Sequence, residues 1–102
     1  MQTLADVTVI IPTIASKEKS ALLKRAVESI RRSSSGPIRI ITVVNGDRAD
    51  PAVCQWLQDQ ADIHYERVAP PSAPLAVYHG RTLVQTAYFS MLDDDDEYLP
   101  GG

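Results

Sequence analysis

The sequence predicts an α/β fold: a mostly parallel sheet with helices on it, in the order β-α-β-α-β-α-β. Two observations predict it. Short β-branched apolar runs recur along the chain, and between them the apolar spacing switches from continuous to helical. Strands that alternate with helices in this way argue for parallel pairing through right-handed crossovers. The 102 residues allow one domain, 1–102.

The first strand is Val7-Thr8-Val9-Ile10-Ile11, which Pro12 is expected to close because proline cannot donate to a ladder. Its nearly continuous apolar character fits a strand covered on both faces. Leu22, Leu23, Ala26, Val27 and Ile30 then follow at helical spacing, with Ser16 as the expected N-cap and Glu18 in the first turn. Ser33-Ser34-Ser35-Gly36-Pro37 ends that helix. Residues 38–44 read as a second buried strand, and Asn45-Gly46-Asp47-Arg48 as a turn. Asp50-Pro51 is a helix start, Asp as N-cap and Pro at the first helical position, with Val53, Trp56 and Leu57 on the apolar face. Ile63 to Val68 is a third strand. Residues 69–74, with three prolines, are expected to be loop. Val77, Gly80, Val84, Ala87 and Tyr88 share a helical face, and Phe89-Ser90-Met91-Leu92 forms a fourth strand that runs into Asp93-Asp94-Asp95-Asp96-Glu97.

Composition narrows the class. The net charge is −3, but residues 1–48 carry eight Lys/Arg against four Asp/Glu, and residues 49–102 carry two against nine. No apolar run approaches the ~20 residues of a membrane span. The first residues have neither the basic region nor the cleavage site of a signal peptide, and Cys54 is the one cysteine, so no internal disulfide is expected. A soluble cytoplasmic location is therefore expected. No His or Cys pair has zinc-ligand spacing. The turn after the first strand, Pro12-Thr13-Ile14-Ala15-Ser16, lacks the glycines of a phosphate loop or dinucleotide fingerprint. The basic residues of the first helix have no interleaved aromatics, so they read as a solvated face and no nucleic-acid partner is expected. Cys54 and Trp56 read as packing residues. His64 has no expected role, and His79 reads as structural.

In an open parallel sheet, ligands bind outside the carboxyl ends of the strands. Pro12-Thr13, Asn45-Gly46-Asp47 and the four aspartates all fall at such ends. Consecutive carboxylates repel one another, and a divalent cation relieves this directly. Hard ions such as Mg²⁺ take one or two carboxylates with phosphate oxygens and water. The period of two puts Asp93 and Asp95 on one side.

These segments resemble family 2 glycosyltransferases, which have the Rossmann-like, three-layer GT-A fold. Val7–Thr13 resembles the opening strand. Val43-Val44-Asn45-Gly46-Asp47-Arg48-Ala49-Asp50 is similar to the second-strand motif Val-Val-Asp-Asp-Gly-Ser-Thr-Asp. Leu92 to Gly101 resembles the metal-binding Asp-x-Asp segment. The three come in the family's order and cover nearly the whole chain.

The resemblance implies binding of a nucleotide-diphosphate sugar, a UDP-sugar foremost, and inverting transfer to a hydroxyl of a sugar, lipid or protein acceptor. By the resemblance, Pro12 and Thr13 would lie beside the nucleoside. The family's base- or ribose-binding acid falls on Asn45, with Asp47 as a substitute acid. Asp93 and Asp94 would contact the donor. Asp95, with Asp93, would hold Mn²⁺ or Mg²⁺ on the diphosphate. Where members carry Ala-Arg-Asn-x-x-Gly, this chain has Ala76-Val77-Tyr78-His79-Gly80-Arg81; Gly80 matches, and Arg81 is the candidate for the diphosphate. The family's acidic catalytic base is expected beyond residue 102, so the chain reads as a donor-binding half, truncated after the Asp-x-Asp motif, with self-association expected through uncovered edges. The alternative is a non-catalytic nucleotide- or metal-binding module, or a partner subunit. An aspartyl-phosphate phosphatase is disfavoured by Pro12-Thr13 where its nucleophile would stand, and a receiver domain by the lack of lysine after Lys24.

Overall fold

The structure, a computed structural model, describes residues 7–33, 38–86 and 88–92. The elements are β1 (Val7–Thr13), α1 (Ser20–Ser33), β2 (Arg39–Asn45), α2 (Pro51–Asp59), β3 (Ile63–Val68), α3 (Ala73–Thr82) and β4 (Tyr88–Met91). The four strands form one sheet in the order β3-β2-β1-β4, and every pairing is parallel.

Period-two alternation splits the strands between two cores. Val9 and Ile11 of β1, Ile40 and Val44 of β2 and Ile63 of β3 face the layer made by α1 and α2, meeting Leu23, Ala26, Val27, Ile30, Val53, Cys54 and Leu57. Ile10, Ile41 and Val43 face the other way, against Ala76 of α3. The chain thus winds outward through α1 and α2 on one face, then returns through α3 on the other to reach β4. The direction of winding reverses between β1 and β4, which is a topological switch point.

Several local expectations change. β1 does not close at Pro12; it continues to Thr13, with Pro12 opposite Val43. In a parallel strand the N–H and C=O of one residue point to the same neighbour. The Ile10 carbonyl accepts from Leu92 N at 3.0 Å, so even-numbered residues of β1 address β4. Pro12 therefore lacks its N–H on the side where β4 pairing has already ended at Ile10 and Met91, and β2 loses nothing.

Ser16 does not cap α1. It heads a preceding turn, accepting from Lys19 N at 3.2 Å, and the helix begins at Ser20 with no acid in its first turn. α3 starts earlier than expected, at Ala73. Ser72 is its N-cap, accepting from Leu75 N at 3.3 Å, and Pro74 fits the first turn, where N–H groups have no helical partner. α3 also ends earlier, so Val84 lies past it and Tyr88 opens β4; Ala87 lies outside the described residues.

Asp50 caps α2 as expected, accepting from Ala52 N and Val53 N with extended backbone, a contribution of ~1 kcal/mol. Trp56 is half-buried rather than fully core, with Lys24 Nζ 5.3 Å from its ring centre.

At the amino end of the sheet, Arg31 fastens α1 to the α2–β3 loop. Its guanidinium donates to both Asp62 oxygens, at 2.8 and 2.6 Å, and to Glu28 and Gln60. The Arg31 hydrogen bonds hold the Asp62 carboxyl below its usual range. Among the described residues, no helix is long and apolar enough to cross a membrane.

Candidate functional site

A cavity of about 360 Å³ opens at the carboxyl ends of β1, β2 and β3, lined by Ile14, Asn45, Gly46, Asp47, Arg48 and Pro71. Each wall has a local cause. β1 leaves the sheet at Thr13, whose Oγ1 accepts from Ala15 N at 3.0 Å. That bond sustains Ala15 at φ 53, the left-handed region, although its side chain is 1% exposed. Such a conformation costs an alanine ~1–2 kcal/mol. The surroundings hold it, since the Ala15 carbonyl also accepts from Asp50 N at 2.8 Å. The two loops that form the cavity are therefore bonded directly to each other.

Asn45 makes a second link. It is 4% exposed, and its Nδ2 donates to the Thr13 carbonyl at 3.0 Å. Gly46 follows at φ 83, and a Cβ there would stand 3.1 Å from Pro71 Cβ. Glycine is required twice over, by the backbone and by the contact with the β3–α3 loop. Gly46 N donates to the Val68 carbonyl at 3.2 Å, and Arg67 donates to the Gly46 carbonyl at 3.3 Å. The turn that displays Asp47 and Arg48 is thus tied to β3 at both its amide and its carbonyl.

Of the sequence candidates, the structure brings Thr13, Asn45 and Asp47 together. Pro12 and Thr13 are buried beneath the cavity rather than in its lining. Arg81 is not brought there. α3 runs against the strand direction, so its last turn lies beside the amino ends of β1 and β4. Arg81 stacks over Phe89, 5.3 Å from the ring centre, and Phe89 is level with Thr8. Five residues separate Thr8 from Thr13, about 17 Å along a strand. Asp93, Asp94 and Asp95 lie outside the described residues. Leu92, which precedes them, is 8% exposed and held to the sheet by its amide.

Ile14, Arg48 and Pro71 were absent from the sequence candidates. Arg48 could have been found from its place in the turn beside Asp47, whereas Pro71 enters through tertiary packing alone. Gly80 owes its identity to packing as well: a Cβ there would lie 2.7 Å from Ile10 Cγ2.

Glu66 on β3 is a separate cluster on the α3 face, with His64 Nε2 at 2.8 Å and His79 Nε2 at 3.2 Å. The hydrogen bond from His64, then that from His79, lowers the Glu66 pKa. His79 thus fastens α3 to the edge strand and does not reach the cavity lining. Among the described residues, no group of three or more His, Cys, Asp or Glu is arranged to hold a metal ion.

Chemically, the cavity offers two apolar walls, an amide already fixed by one bond, a carboxylate and a guanidinium. Such a mixture suits a small polar ligand with a flat apolar body. No family model matches the chain, and no curated protein matches it.

Proposed function

We propose that the cavity binds the nucleoside part of a nucleotide-diphosphate sugar, and that the chain is the donor-binding part of a family 2-like, GT-A-type inverting glycosyltransferase. One observation carries the reading. The segments after β1 and β2, both of which resemble motifs of that family, line or support one cavity at the carboxyl edge of a parallel sheet. The strand order reverses between β1 and β4, one strand over from the β2 and β3 loops that line most of the cavity.

In this reading Asn45 orients the nucleoside, Ile14 and Pro71 flank it, and Asp47 and Arg48 meet its polar edge. The divalent ion is assigned to Asp95 and Asp93 on the resemblance to the Asp-x-Asp segment and on their spacing; both lie outside the described residues.

The test is calorimetric titration of nucleoside diphosphates and their sugars, with and without Mn²⁺. Metal-dependent binding that Asp95→Ala removes is the expected result. Absence of nucleotide binding under both conditions would refute the proposal, and binding unaffected by Asp95→Ala would refute the metal assignment.

A further inference from the structure

We infer that the cavity beside Asn45 selects guanine among the nucleobases; this rests on the nucleotide reading above and names the donor class within it. The observation is a pair of opposite charges that line one cavity. Among the described residues, neither Asp47 nor Arg48 has an ion-pair partner, and they do not pair with each other. The neutral amide between the loops is already partly used, since Asn45 Nδ2 is bonded to Thr13. Asn45 keeps its Oδ1 to orient the nucleoside, and the charged hydrogen bonds that distinguish one base from another fall to the carboxylate and the guanidinium.

A carboxylate has two acceptor oxygens and no donor, and a guanidinium is a fork of donors and no acceptor. Used fully, the first wants two adjacent donors on the ligand and the second wants two adjacent acceptors. Guanine provides both, with N1–H beside N2–H₂ and O6 beside N7. Uracil offers a single N–H between two carbonyls, so a carboxylate facing it also faces an oxygen. Adenine and cytosine each set their amino group next to a ring acceptor, which again opposes a carboxylate. Ile14 and Pro71 supply apolar surface for the faces of the ring.

The experiment measures the affinity of the 102-residue chain for GDP, IDP, UDP, CDP and ADP by calorimetry, with Mn²⁺ present. IDP lacks only the 2-amino group of GDP. GDP is expected to bind about tenfold or more tighter than each of the others, the usual worth of a paired hydrogen-bond contact to a base. In Asp47→Ala the difference between GDP and IDP should vanish, while Arg48→Ala should weaken GDP and IDP alike. A merely structural role for Asp47 would leave the GDP-to-IDP ratio unchanged, and that outcome overturns the assignment. UDP binding as tightly as GDP overturns the guanine inference and leaves the nucleotide reading standing. Failure of every nucleotide to bind overturns both.

Discussion

Gly80→Ala tests how closely α3 is seated on the sheet. In a free helix the change would stabilise by ~0.8–1 kcal/mol, because alanine is the better helix former. Here the added Cβ would meet Ile10 Cγ2 at 2.7 Å and Val43 Cγ2 at 3.3 Å, whereas carbon atoms in contact prefer about 3.5–4.0 Å. The deficit of roughly 1 Å cannot be absorbed at a side-chain tip. Cγ2 is attached to the Cβ of a β-branched residue whose χ1 is stiff, and Ile10 is fully buried in a central strand. Overpacking of this kind costs ~1–3 kcal/mol, so the net expectation is a loss of about 1 kcal/mol. Urea denaturation should show a lower midpoint at an unchanged slope. Ile10→Ala removes the obstructing methyl. The two changes together should cost less than the sum of each alone, by ~0.5–3 kcal/mol. A Gly80→Ala protein more stable than the parent by the full propensity gain, or a strictly additive cycle, would refute the reasoning.

Three further outcomes are expected. Thr42 Oγ1 is buried with no hydrogen-bond partner, so Thr42→Val should raise stability by ~1 kcal/mol, read as a higher denaturation midpoint; a lower one would contradict the orphaned hydroxyl. The Asp62 pKa is lowered in the fold, so its contribution is present above the unfolded value of 3.8 and is lost as pH falls through the lower folded value. Asp62→Asn should therefore cost ~0.5–1 kcal/mol at neutral pH, a figure already reduced for solvent screening, and should flatten the acid limb of a stability–pH curve; an unchanged limb counts against the Arg31 clamp. Phe89 and Met91 are 42% and 57% exposed on edge strand β4, level with Thr8 and Ile10, while α3 packs over β1 and β2. Self-association is expected by light scattering and should weaken in Met91→Lys; a monodisperse parent monomer would exclude it.

The architecture was legible because each signal it needed was local. The apolar runs fixed on residues 7–11, 38–44 and 63–68 lie within one or two residues of the observed strands, and Asp50-Pro51 marked a helix start that the backbone honours. What escaped depended on partners distant in the chain. Pro12 reads as a strand end until the direction of its missing N–H is known. Pro74 reads as a helix breaker, although one residue after a helix start it is harmless. Arg81 reads as a phosphate ligand until the antiparallel run of α3 carries it to the far end of the sheet. Half of the cavity lining was legible too, in Asn45-Gly46-Asp47. Pro71 was not, since nothing near it in sequence says that it closes on Gly46.

Pro12 also has an effect on another strand. After the bond from Leu92 N to the Ile10 carbonyl, the next rung of a parallel ladder would run from residue 12 of β1 to the Leu92 carbonyl. Proline has no hydrogen to give, so that rung cannot form. A residue near the start of the chain thereby acts as a full stop for a strand eighty positions later, one residue before the acidic run. Among the described residues the β1–β4 ladder thus closes with the Leu92 amide, and Pro12→Val would offer the Leu92 carbonyl an amide to accept from.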